Sequence, residues 1–341
     1  MDLNNIKRNN IDYLLTDILP TELSDRFTYS YFYDFLLSKS SEINSIIQGL
    51  KETKAKPDGI FKGKEWASMP LKYSIMKDLY TVREISLVQP LAALEMLLFV
   101  ELYQKELLNL LNKNSCFSLR FHHKNNNLCY KNKNKSIIRY FSEESKNMGR
   151  EVLEQTGMFF DISPYKSIAA FTSSEEWLVL NSKYKHFIRM DYKACFDSIY
   201  THTFTWLIGK DSIDTKSFES NSNIYSIIDR ILQNINARRS NGIVVGPEFS
   251  RMLAELLLQS IDTAVYNKLI NAEAKCGQDY NVYRYVDDIF IFAKSEELAT
   301  HIFEKYSEIA RKYLLQLNEI KLFSSKVPFV LDRWLNETNG F

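Results

Sequence analysis

The stretch Tyr283–Phe292, YRYVDDIFIF, most restricts what this 341-residue chain can become, because two adjacent carboxylates interrupt a run that is otherwise apolar and aromatic. Burying both charges inside one continuous strand is costly unless a cation or a tight turn accounts for them. A β-hairpin with Asp287 and Asp288 at its tip resolves the conflict, since Val282–Val286 and Ile289–Phe292 then return to a core as two strands. Such a tip could offer its carboxylates to a divalent cation. It would equally suit a plain surface turn with solvated Asp side chains.

Upstream, Phe187–Tyr200 reads FIRMDYKACFDSIY. Its β-forming run, His186–Met190, ends at Asp191 and leads into a turn and a helix. A carboxylate at the end of one strand and another at a neighbouring hairpin tip could share two Mg²⁺ ions about 3.5–4 Å apart. That pair would activate an attacking 3′-hydroxyl and neutralise a leaving pyrophosphate.

Beyond Leu178, short β-like runs alternate with longer helical segments, which predicts a sheet backed by helices. Before it, apolar residues recur at helical spacing from Ile11 to about Leu50, Asp58–Lys64 is a polar break, and Leu91–Leu111 predicts a long helix. Asn112–Lys135 lacks an apolar period and reads as a basic loop or irregular hairpin, either a nucleic-acid contact or the biased composition of an Asn- and Lys-rich protein. Gly246–Lys268 predicts a loop feeding a helix amino terminus, and Ser212–Asn241 a polar stretch with one short amphipathic helix.

With 45% hydrophobic and 25% charged residues, the chain excludes a largely disordered protein, while a net charge of +1 decides nothing about nucleic acid. Cys116, Cys129, Cys195 and Cys276 lack the spacing of a zinc site or a disulfide framework. The start, MDLNNIKRNN, has no apolar signal core, and Pro90–Tyr103 is too short and too acidic to span a bilayer. A cytoplasmic protein without a membrane partner is the expectation.

DYKACFDSI, then GIVVGPEFSRMLAELLLQSID, then YRYVDDIFIF resemble motifs A, B and C of reverse transcriptases, in that order. The resemblance implies that Asp191, Asp287 and Asp288 are the catalytic carboxylates and hold Mg²⁺, or Mn²⁺, together with the backbone carbonyl of Tyr192. It places Phe196 beneath the sugar of the incoming nucleotide, where its ring would reject a 2′-hydroxyl; without the resemblance, Phe196 reads as a core aromatic. Gly242 and Gly246 bracket the second motif, with Gly246 approaching the nucleotide, Val245 standing where many relatives carry Gln, and Ser250 and Arg251 following as helix caps or nucleic-acid contacts. LQLNEIKLF is similar to motif D and makes Lys321 a general acid or phosphate contact, or else a surface lysine. KDLYTVREISLVQP resembles the fingers segment that grips the triphosphate, which nominates Arg83 and Lys77, with Arg120 in FSLRF a further candidate.

The wording around the motifs, YTHTFTWLIGK, GPEFSRMLAE and RYVDD, is similar to bacterial abortive-infection and other defence-associated reverse transcriptases, over roughly residues 70–330. That implies an α/β (α+β) right-hand polymerase: a helical amino-terminal region over 1–70, fingers over 71–180 and an antiparallel palm over 181–341, with 211–241 returning towards the fingers. No thumb is recognisable in the about fifty residues beyond Asp288, so a further domain, another subunit or an RNA would grip the duplex. The implied partners are deoxynucleoside triphosphates and RNA or DNA, including a noncoding RNA, with a second copy or a partner subunit. Synthesis would serve anti-phage defence, either templated or template-independent and protein-primed. A retron or mobile-element enzyme, or a catalytically silent nucleic-acid-binding scaffold, are the alternatives.

Overall fold

Helices with apolar residues at a spacing of 3.6 dominate the first part of the chain, and strands alternate with helices in the last. The computed structural model describes residues 10–20, 28–53, 67–76, 80–113, 116–130, 157–207 and 224–327. Its elements are α1 (Tyr13–Thr16), α2 (Ser30–Ser38), α3 (Ser40–Thr53), β1 (Leu71–Met76), β2 (Val82–Leu87), α4 (Pro90–Lys113), β3 (Arg120–Tyr130) and β4 (Gly157–Pro164). There follow α5 (Ile168–Thr172), α6 (Glu175–Lys183), β5 (His186–Asp191), α7 (Cys195–Ser198), α8 (Thr203–Trp206), α9 (Ile224–Asn234) and α10 (Glu248–Asn271). The hairpin β6 (Tyr280–Tyr285) and β7 (Asp288–Ala293), then α11 (Glu296–Lys312), a 3₁₀ turn (Glu319–Lys321) and β8 (Phe323–Lys326) close the described part. Two compact units emerge: the described residues within Met1–Lys113, His122–Asp161 and Phe196–Leu257, and those within Asn114–Phe121, Ile162–Cys195 and Leu258–Phe341.

The first unit is largely helical. Pro90 opens α4 where its missing N–H costs nothing, and Ala92, Met96, Phe99 and Val100 are buried along it. Ile224, Ile227, Ile228, Ile231 and Leu232 form the buried stripe of α9 at helical spacing. The first turns of α10 bury Phe249, Met252 and Leu253, and the Phe249 ring meets Phe99 edge-on at 5.9 Å. β1 and β2 pair antiparallel, from Leu71 opposite Leu87 to Met76 opposite Val82.

The second unit is built on an antiparallel sheet of order β6-β7-β5-β8. One face carries Phe187, Phe290, Phe292 and Tyr285, packed with Phe171, Trp177 and Leu180 into an aromatic core; Phe187 and Phe292 lie 4.9 Å apart and Trp177 and Phe292 5.3 Å. Ile188, Met190, Ile289 and Ile291 alternate onto the opposite face and are buried there. α11 is fixed by Ser295, whose hydroxyl accepts from the Leu298 amide, with Glu296 and Glu297 in the first turn and Arg311 and Lys312 in the last, as the helix dipole favours.

The expected strands over 186–190, 282–286 and 289–292 and the helix over 91–111 form within two residues of their expected ends, and the loop expected from Gly246 feeds α10 at Glu248. The helical expectation over Ile11–Leu50 holds in pieces, α1 to α3 with a 3₁₀ turn at Asn10–Asp12. Asn112–Lys135 is corrected in part: α4 continues to Lys113 and residues 120–130 form β3, which pairs with β4 in a two-stranded sheet. The ladder to β4 imposes the strand on residues whose side chains carry no apolar alternation. The Asp58–Lys64 break lies outside the described residues.

One buried ion pair ties this sheet to its helices. Arg284, on β6 and fully buried, donates through Nε to Asp262 Oδ2 on α10 at 2.7 Å, and Tyr306 of α11 donates to Asp262 Oδ1 at 2.9 Å. Removing one partner strands a charge in the interior, so Asp262→Ala should cost about 3–5 kcal/mol. Replacing the set together by apolar residues (Arg284→Met, Asp262→Leu, Tyr306→Phe) should cost distinctly less, and chemical denaturation of the variants measures both.

Candidate active site

Three aspartates meet where the strands end. Tyr285 faces Asp288 in the β6–β7 ladder, so Val286 and Asp287 form a two-residue turn. Asp191, the last residue of β5, faces Asp288 on β7, and directly opposed residues project to the same face of a sheet. The Asp pair therefore sits at the hairpin tip as expected. It is half-buried and set beside a third carboxylate, so the solvated surface turn is not what forms. Val286 takes φ +57°, a left-handed conformation that costs a β-branched residue roughly 1–3 kcal/mol and is tolerated only where the surroundings hold it.

Electrostatics at the tip follow from crowding. Burial first, then Asp288 and Asp191, push the Asp287 carboxyl up to about 6, opposed by Lys321. Lys321 Nζ lies 2.7 Å from Asp191 Oδ2, and that bond above all raises the pKa of the lysine. Arg189 donates to Asp288 Oδ1 at 2.9 Å. Asp191 Oδ1 is buried with no hydrogen-bond partner among the described residues. Backbone bonds fix the strand end: Asn318 N–H donates to the Asp191 carbonyl at 2.8 Å, and Lys193 N–H to the Gln316 carbonyl at 2.8 Å.

These residues fit a hard divalent cation in kind, because an all-carboxylate oxygen set with one buried, unpartnered Asp191 oxygen and a charge-crowded Asp287 is what Mg²⁺ or Mn²⁺ selects. Among the described residues no three His, Cys, Asp or Glu side chains converge tightly enough to cage a metal. Two cations occupy the carboxylates instead: Lys321 engages one oxygen of Asp191, and Arg189 one oxygen of Asp288.

The remaining candidates divide between the two units. Tyr192 is buried, its phenol raised well above the ordinary value by burial first and Asp262 next, and its backbone bridges Leu317. Arg120 is buried, with its guanidinium 5.3 Å from the centre of the Tyr285 ring, which places it beneath the hairpin and away from solvent. Phe196, Gly242, Gly246 and Arg83 belong to the first unit. The half-buried Phe196 accepts at its carbonyl from Ile243 N–H at 2.9 Å. Gly246, at φ +125°, would bring a Cβ to 2.8 Å from the Pro20 ring and 3.4 Å from the Ser86 carbonyl, so close packing inside the protein requires glycine there.

Arg83 stands on the exposed half of β2 opposite Ile75, its pKa lowered by burial first and then by Arg251. Arg251 pairs with Glu248 at 3.3 Å, whereas the Ser250 hydroxyl is buried and, among the described residues, has no partner and so caps nothing. Lys77 lies outside the described residues. Arg189, Arg284 and Asp262 also belong to this site, although no motif singles them out. An arginine between two tyrosines in a β-forming run, and an aspartate inside an apolar helical pattern, were the signals for the last two.

Residues 111–329 match the model of the reverse transcriptase (RNA-dependent DNA polymerase) family. No curated protein matches the chain. Among solved structures, apo telomerase from Candida tropicalis is similar at 14% identity and a TM-score of 0.43, over 78% of this chain and 45% of that one. Telomerase from Candida albicans, in complex with a TWJ fragment of telomeric RNA, is similar at 12% identity and a TM-score of 0.40, over 80% and 44%. This chain thus spans less than half the length of either. The family match takes in well over half of the chain, including the β5 strand end and the β6–β7 hairpin, and the chain belongs to the reverse transcriptase (RNA-dependent DNA polymerase) family.

Proposed function

We propose that this protein is an RNA-dependent DNA polymerase that transfers nucleotides from deoxynucleoside triphosphates to a 3′-hydroxyl at the β5 end and the β6–β7 tip. The observation that carries this reading is the meeting of Asp191 with Asp287 and Asp288 where three strands end, with one Asp191 oxygen buried and unpartnered. Asp191 and Asp287 would hold the divalent cations, aided by Asp288 and the Tyr192 carbonyl. Bound there, Mg²⁺ or Mn²⁺ lowers the pKa of the attacking hydroxyl and neutralises the charge that develops on the leaving pyrophosphate.

The chain's own groups have distinct tasks. The Asn318 N–H bond to the Asp191 carbonyl fixes the backbone at the strand end that carries the carboxylate. Lys321, at 2.7 Å from Asp191, would move to the departing pyrophosphate and donate its proton there. Phe196 would lie under the sugar and exclude a 2′-hydroxyl, Gly246 would line the nucleotide, and Arg83 with Lys77 would hold the triphosphate. In this assignment residues 1–70 are a helical amino-terminal region, 71–180 the fingers and 181–341 the palm, with 211–241 returning towards the fingers.

We further infer a role in anti-phage defence, supported by YTHTFTWLIGK, GPEFSRMLAE and RYVDD around the motifs. The product would be copied from a noncoding RNA or made without template from a protein primer. Sequencing nucleic acid that copurifies with the protein separates these, and separates both from retron-type synthesis. A silent nucleic-acid-binding scaffold is the second reading, favoured by Lys321 and Arg189 sitting on Asp191 and Asp288.

Incubation with labelled deoxynucleotides and Mg²⁺ decides between enzyme and scaffold. Asp191→Ala and Asp287→Ala should each lower incorporation roughly a thousandfold, the rate equivalent of losing several kcal/mol of metal-borne charge stabilisation. Equal labelling by wild type and both variants, or none under any primer, template or partner RNA, sinks the polymerase reading. Phe196→Ala should lower discrimination against ribonucleotides roughly tenfold or more while deoxynucleotide incorporation persists. Unchanged discrimination would return Phe196 to the role of a core aromatic.

A further inference from the structure

Arg284 does more than satisfy a buried aspartate. Its guanidinium is fully buried and forked: Nε donates to Asp262 Oδ2 at 2.7 Å, while Nη1 donates to the carbonyl of Val286 at 2.9 Å. Val286 is the residue at φ +57° that turns the β6–β7 hairpin and immediately precedes Asp287. A two-residue hairpin turn normally uses Gly, Asn or Asp at such a position, so a valine there must be held from outside.

The partners of Arg284 are themselves anchored. Tyr306 of α11 holds the second oxygen of Asp262 at 2.9 Å. The Arg284 backbone is clamped on both sides, its N–H donating to the Phe117 carbonyl at 2.7 Å and its carbonyl accepting from Leu119 N–H at 2.8 Å. Asp262 thus anchors the Nε side of the guanidinium and the Phe117–Leu119 segment anchors the backbone behind it, while Nη1 reaches the turn. We propose that Arg284 is a positioning residue that locks the Val286 turn, so that Asp287 presents its carboxylate to a divalent cation beside Asp191.

This inference rests on the metal-binding role given to Asp287. Its test therefore reads binding of Mn²⁺ alone to the full chain, by electron paramagnetic resonance, next to nucleotide incorporation. Arg284→Lys keeps a cation for Asp262 but has no second arm for the Val286 carbonyl. The apolar set Arg284→Met, Asp262→Leu and Tyr306→Phe removes the lock without leaving a buried charge. Both should bind Mn²⁺ roughly 10–100-fold more weakly, the range seen when a group that orients a metal ligand is lost, and should lower kcat with little change in the KM for the nucleotide.

Tyr306→Phe alone serves as the stability control. It should lower the melting temperature yet keep wild-type Mn²⁺ affinity, because the Nη1 bond to Val286 remains. Wild-type Mn²⁺ affinity in folded Arg284→Lys overturns the inference, as does failure of both Arg284 variants to fold, which would assign the residue to stability alone. Absence of Mn²⁺ binding by the wild type would instead overturn the metal role of Asp287, and with it the polymerase reading.

Discussion

Mutual repulsion among Asp191, Asp287 and Asp288 is the constraint to which the second unit answers. Three carboxylates gathered at the edge of a sheet, with Asp287 pushed up to about 6 by burial and by its neighbours, do not come together unaided. Arg189 and Lys321 supply opposite charge at 2.9 and 2.7 Å. An aromatic core beneath Phe187, Phe290 and Phe292 keeps the strands in register, and backbone bonds from residues 316 and 318 pin the end of β5. The sheet is the rigid part. The charges are what it is rigid for.

Arg284 shows how that rigidity reaches the tip. A single guanidinium joins β6 to two helices through Asp262 and Tyr306 and to the turn through the Val286 carbonyl. Buried ion pairs are poor devices for net stability, since desolvation offsets most of the attraction. They are good devices for fixing geometry, because any displacement leaves charge unpaired in a medium that cannot solvate it. At a turn that carries a β-branched residue at positive φ, geometry is the scarcer commodity.

Much of this was legible in the sequence because the site is made of local signals. The apolar runs that flank Asp287 and Asp288 dictate a hairpin, the run ending at Asp191 dictates a strand, and a shared sheet is the simplest way to bury all three. What the sequence concealed depends on partners distant along the chain. Nothing local says that Arg284 finds Asp262, that Arg120 lies under the Tyr285 ring, or that Gly246 is required by Pro20. β3 escaped notice for a related reason: its pairing with β4 outweighs side chains that lack alternation.

The proposed catalysis turns on Asp191 and Asp287 sharing a divalent cation. Crystals of the full chain soaked in Mn²⁺ and measured at its absorption edge test it directly. An anomalous peak bound by oxygens of Asp191 and Asp287 is expected, with Lys321 drawn away from Asp191 Oδ2. A Lys321–Asp191 pair that stays intact, with no manganese between the two carboxylates, would contradict it.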